Sequence, residues 1–166
     1  MNRQPSRTAT TGRTARGGAL AGLVLSAALA ACGSSPPVDG EGGRELLARV
    51  QAENYRAWSH APGWETRMPS MKGGHGGQLD IYVNDTFEAA VTSGQTVSQW
   101  PEGSTIVKEV WMSDTLRYID IMDKQSGGWY WDELDADGTI LAAGHPDGCT
   151  NCHSSGVDYV RAFDLP

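Results

Sequence analysis

Thr105-Ile106-Val107-Lys108-Glu109-Val110-Trp111-Met112 is the stretch on which the fold turns. Its β-branched and aromatic residues favour extended chain, and the period of two puts Ile106, Lys108, Val110 and Met112 on one face, with Val107, Glu109 and Trp111 on the other. Lys108 therefore stands among apolar neighbours, and Glu109 points away from it. Such a lysine either snorkels at the strand edge or is buried for a chemical purpose, since burial disfavours the ammonium and favours a nucleophilic amine.

Further strands follow on both sides. Residues 78–84 alternate Leu79, Ile81 and Val83 against Asp80, Tyr82 and Asn84, while 116–122 and 129–134 read as strands, the latter closed by Asp135-Ala136-Asp137-Gly138 before 139–142 pairs back. Upstream, Leu46, Leu47, Val50, Ala57 and Trp58 predict a helix over 44–59 ended by Pro62-Gly63, and Asp85 caps a short helix stopped by Gly94. Residues 72–77 form a glycine-rich loop without a phosphate-binding fingerprint, and His75 and His145 in their Gly/Pro loops are expected to face solvent. The expected class is α+β: four to five mainly antiparallel strands with flanking helices.

The chemistry sits near the end of the chain, in Cys149-Thr150-Asn151-Cys152-His153. A C-x-x-C-H run suits covalent haem c: two thiols add across the two vinyl groups and the adjacent imidazole reaches the iron. Cys149 and Cys152 are expected to carry the thioethers of one haem and His153 its iron. A zinc site would want a second spaced pair of ligands among His60, His75 and His145, and none is present; a disulfide is the remaining alternative.

Residues 1–31 carry Arg3, Arg7, Arg13 and Arg16, no acidic residue, and an apolar run ending Leu29-Ala30-Ala31-Cys32-Gly33. This predicts an export signal with a bacterial lipobox, Cys32 being acylated as the mature N-terminus. The run is short of the about 20 apolar residues a membrane span needs. Expected organisation is thus a signal peptide over 1–31, an acylated N-terminus and flexible tether over 32–43, and a haem domain over 44–166, held on the periplasmic face of a membrane. Gly33 after the cysteine favours the outer membrane. The formal net charge of −7, more negative once the signal arginines leave, counts against nucleic acid as a partner.

Tyr82-Val83-Asn84, the run Trp100-Pro101-Glu102-Gly103-Ser104-Thr105-Ile106-Val107-Lys108-Glu109, Gly127-Gly128-Trp129 and the terminal C-x-x-C-H occur in this order in the cytochrome P-460 family, which residues 44–166 resemble. The resemblance implies a mainly antiparallel sheet with flanking helices, often in a homodimer, around a five-coordinate haem with a histidine ligand. In the hydroxylamine-oxidising members a lysine at the position of Lys108 is bonded to a haem meso carbon, and an acid between it and the C-x-x-C-H assists proton removal. Asp120 is the candidate for that acid, with Asp123 close behind. The related cytochromes c′-β lack the lysine bond and bind nitric oxide behind a phenylalanine-lined distal side.

The function expected is therefore a lipid-anchored monohaem cytochrome that binds small nitrogen species at an open iron. Its leading activity is hydroxylamine oxidation, with Lys108 tuning the macrocycle, Asp120 taking protons and a redox partner protein receiving electrons. Non-catalytic binding of nitric oxide is the alternative. An electron carrier ranks last, because no methionine follows Met122 and only Met68 and Met71 offer a sixth ligand. Phe87, Trp100 and the Trp129-Tyr130-Trp131 group either pack the core or touch the haem.

Overall fold

The computed structural model describes residues 38–70 and 75–161. The expected signal segment, Cys32, the first half of the expected tether and Met71 lie outside the described residues. In chain order come α1 (Gly40–Ala52), a 3₁₀ turn (Tyr55–Ala57), β1 (Ser59–His60), β2 (Met68–Pro69), β3 (Gln78–Val83), α2 (Asp85–Thr92), β4 (Thr105–Met112), β5 (Thr115–Gln125), β6 (Gly128–Asp135), β7 (Ile140–Gly144) and α3 (Asp147–His153). The class is α+β, as expected, but the antiparallel sheet has seven strands rather than four or five. Its order is β1-β3-β4-β5-β6-β7, with β2 also paired to β3. The two additional strands, β1 and β2, have two residues each, too short to carry any alternation.

Each face of the sheet buries its own apolar cluster. On one, Tyr82, Val107, Ile121 and Leu134 pack against Leu46 and Val50 of α1. On the other, Ile81, Ile106, Val110, Met122 and Trp131 pack with Phe87 of α2, Trp100 and Val160. Burying each of these larger side chains contributes roughly 1.5–3 kcal/mol. The strand 105–112 lies centrally, so both of its faces are covered.

The helices differ from expectation at their ends. Asp39 accepts a hydrogen bond from the Gly42 amide, so α1 begins inside the expected tether. It stops at Ala52, because Asn54 takes left-handed backbone (φ 53) and re-aims Tyr55 onto the sheet. Asn84, rather than Asp85, caps α2: its side chain accepts from Phe87 N and Thr105 N, tying the helix start to β4. Among the described residues no helix is long and apolar enough to cross a membrane.

Candidate functional site

Strand register builds one wall of the site. Ile81, Lys108, Asp120 and Glu133 are successive cross-strand partners on β3, β4, β5 and β6. Directly opposed residues share a face, so the ionisable ones form a row on the Ile106 side of the sheet. They open onto a cavity of about 410 Å³ whose apolar walls include Ile81, Ile106, Met122 and Trp131. Lys108 does not snorkel to solvent: its Nζ lies 2.8 Å from Asp120 Oδ2, with the two side chains 14% and 12% exposed.

The opposite wall is α3. Residues three apart lie on one helical face, and Cys149, Cys152 and His153 all line the same cavity. Both cysteines are free thiols, and Cys149 packs against the apolar cluster. His153 Nδ1 bonds the Tyr159 carbonyl at 2.9 Å, which leaves Nε2 as the ring nitrogen available to a metal. Burial, together with the positive charges of Lys108, His75 and Arg161, brings the His153 imidazole down to about 4 despite that bond, so it is neutral at physiological pH.

A short loop fixes the ligand end of α3. Asp158 and Tyr159 both take left-handed backbone (φ 45 and 70), a strained arrangement held by several bonds. Asp158 Oδ2 accepts from Trp100 N (2.9 Å) and Lys124 Nζ (2.8 Å), and its carbonyl accepts from Trp129 Nε1 (2.7 Å). Trp100 Nε1 donates to the Val157 carbonyl. The Tyr159 carbonyl is thereby set against His153.

Charge along the row is uneven. Burial pushes the Asp120 carboxyl up, but Lys108 and His75 more than offset it and hold it below the usual carboxylate range. Glu133 is pushed upward, first by burial and then by the Asp120 charge. Asp120 Oδ1 is buried with no hydrogen-bond partner among the described residues, an orphaned acceptor at the cavity.

These residues fit a haem: apolar walls, two thiols and a neutral imidazole at one side, and ionisable groups at the other. Among the described residues no cluster of three or more His, Cys, Asp or Glu is arranged to hold a bare metal ion.

The sequence-predicted residues Lys108, Asp120, Cys149, Cys152 and His153 converge on this cavity; Asp123 instead binds Arg49 and Thr105. His75 corrects its expectation: it lines the cavity, with Nδ1 2.9 Å from Asp120 Oδ2. His145 Nδ1 bonds the Trp129 carbonyl. Of the aromatic candidates Trp131 reaches the cavity, whereas Phe87 and Trp100 stack on each other at 3.8 Å in the core and Tyr130 packs on the α1 side. Glu133 was missed, since only its register beside Asp120 marks it. Met68 packs against the apolar cluster.

A family model described as Cytochrome P460 matches residues 52–160, which span every strand, α2 and α3. A search of curated proteins returns no match.

Proposed function

We propose, from the premise that this chain belongs to the cytochrome P460 family and is a c-type haem protein, that it carries one haem in the cavity between α3 and the Lys108 row. Cys149 and Cys152 would hold it through thioethers and His153 would be its axial ligand. Its other side would take small nitrogen species, the leading activity being hydroxylamine oxidation. The observation that supports this most is the convergence on one cavity of the C-x-x-C-H helix and the register row Lys108, Asp120, Glu133.

When bound, the haem supplies a redox-active iron at which a small ligand can be oxidised. The chain supplies the rest. His153 presents a neutral nitrogen, fixed by Tyr159. Lys108, on a central strand, lines the cavity and would stand beside the bound group. Oxidising hydroxylamine releases protons, and a carboxylate must take them. The family resemblance assigns this task to Asp120, but its ion pairs with Lys108 and His75 lower its basicity and suit it to positioning both. Glu133, raised by burial and by Asp120, is the better proton acceptor.

Non-catalytic gas binding is the second reading, favoured by the apolar walls Ile81, Ile106 and Met122. No phenylalanine is among the described residues lining the cavity, unlike the distal side implied for the cytochromes c′-β. The discriminating experiment is hydroxylamine-dependent reduction of an added electron acceptor by the haem-loaded protein. Turnover that falls at least about tenfold in Glu133→Gln, with haem retained, supports the enzyme. Nitric oxide binding without any turnover would transfer the assignment to gas binding.

Anchoring through an acylated Cys32 on the periplasmic side, with the outer membrane favoured, is part of the same proposal and rests on Leu29-Ala30-Ala31-Cys32-Gly33.

A further inference from the structure

We infer that Trp131 and Tyr159 form an oxidation relay, by which oxidising equivalents produced at the haem by a peroxide leave through the His153 side of the cavity and are discharged at the surface. The inference rests on the reading of His153 as the axial ligand of a haem in the cavity, and adds a second activity to it, the reductive disposal of a peroxide.

The relay is a series of ring contacts. The Trp131 and His153 rings meet edge to face, with centres 4.7 Å apart and planes at 74°. The Trp131 and Tyr159 rings meet in the same way at 6.5 Å and 83°. Both spacings are those of packed aromatic pairs. Trp131 is 5% exposed and Tyr159 39% exposed, so the series runs from a buried ligand to solvent. Indole and phenol are the most readily oxidised aromatic side chains, and Trp131 is the one tryptophan or tyrosine among the described residues that line the cavity. Neighbouring indoles are engaged elsewhere: Trp100 stacks on Phe87, and Trp129 donates to the Asp158 carbonyl.

The backbone at Tyr159 supports a purpose for its ring. Its φ of 70 lies in the left-handed region, which disfavours a bulky side chain. The bond from its carbonyl to His153 Nδ1 accounts for the conformation but not for the side chain, since glycine would offer the same carbonyl without strain. What tyrosine adds is the ring set against Trp131.

The electrons and protons balance. Hydrogen peroxide takes up two electrons and two protons as its O–O bond breaks, and leaves as two water molecules. One electron comes from the iron and the second from Trp131, which recovers it from Tyr159. Tyr159 gives up its phenol proton with that electron, and solvent supplies the second proton. A soluble one-electron reductant of the thiol or phenol class then returns an electron and a proton to Tyr159 at the surface and an electron to the iron.

The test is to treat the haem-loaded protein with hydrogen peroxide and a nitroso spin trap, map the adduct by peptide mass analysis and follow haem bleaching by absorption. In the wild type the adduct is expected on Tyr159, with slow bleaching. Trp131→Phe should abolish the adduct although Tyr159 stays exposed, and Tyr159→Phe, which keeps the backbone carbonyl, should bleach several times faster. Tyr159→Trp should restore slow bleaching and carry the adduct itself. A wild type without the adduct, an adduct that persists in Trp131→Phe, or a Tyr159→Phe variant that bleaches at the wild-type rate would each overturn the relay while leaving the haem site standing. A chain that takes up no covalent haem under maturation conditions would overturn the relay together with the haem site beneath it.

Discussion

Lys108 Nζ lies 2.8 Å from Asp120 Oδ2, and the two residues are direct cross-strand partners in the middle of the sheet. Taking both charges out of water costs several kcal/mol each. The pair is tolerable because the two charges face each other at close range and a third group, His75, shares the same carboxylate oxygen. Asp120 thereby holds the lysine at the wall of the cavity.

If Lys108 is cross-linked, a two-electron oxidant supplied during haem maturation would remove one hydrogen from Nζ and one from the haem carbon, so the haem peptide is lighter by those hydrogens and the ferrous absorption lies to the red of an ordinary c-type haem. Lys108→Ala is expected to keep the haem, restore the ordinary spectrum and suppress hydroxylamine oxidation. An unshifted wild type with no lysine-haem peptide after proteolysis would point to gas binding.

Stability should depend on pH through Asp132, on the α1 face of the sheet. Its carboxyl is 2% exposed and has no hydrogen-bond partner among the described residues. Gly43 of α1 packs so close that a Cβ there would lie 2.8 Å from Asp132 Oδ1. Burial, then the charges of Asp120 and Asp39, raise this carboxyl from 3.8 to about 7. Between those values the native state keeps a proton that the unfolded chain has lost, so this group's contribution to stability falls as pH rises from about 4 to about 7. At about 1.4 kcal/mol per pH unit the loss is at most about 4 kcal/mol. Asp132→Asn should remove that slope, and the gap in Tm between variant and wild type should widen in the variant's favour up to about pH 7. A gap that does not change with pH would refute it.

Asp158 is expected to matter for both stability and ligation. Removing its carboxylate in Asp158→Ala strands Lys124, which is 6% exposed, without its ion-pair partner. The cost should be about 3–5 kcal/mol in denaturant unfolding, the range for breaking a buried pair. The loosened Tyr159 carbonyl should also broaden the spectroscopic signature of the His153 ligand. A loss below about 1 kcal/mol with an unchanged spectrum would show that the loop does not set the histidine.

Much of this was legible in the sequence wherever chemistry or period was local. The alternation in 105–112 gave a strand with matching bounds, and Cys149, Cys152 and His153 announced themselves by spacing. What escaped depends on register and long-range closure. Nothing near Glu133 in sequence says that it stands beside Asp120, and the alternation around Lys108 excluded Glu109 without revealing which acid would answer it. His75 looked like a loop residue because its only signal was the glycines that follow, and these are what bend it inward. The helix expected over 44–59 was overextended because Asn54, an αL-tolerant residue, breaks the period before Tyr55 and Trp58.

Cys32→Ser should release the protein from membranes while leaving haem attachment intact. Fractionation and N-terminal mass analysis check this. A wild-type protein that is already soluble after export, with an unmodified N-terminus beyond residue 32, would remove the lipid anchor.

The central claim is that one haem is covalently seated between α3 and the Lys108 row, and it is tested most directly by mass analysis of the protein produced with c-type haem maturation. One haem per chain is expected, resistant to acid extraction, recovered after proteolysis on the peptide bearing Cys149, Cys152 and His153, and absent from that peptide when both cysteines are replaced by alanine. Haem that is extracted intact by acid, or that stays on the same peptide in the double cysteine variant, would contradict it.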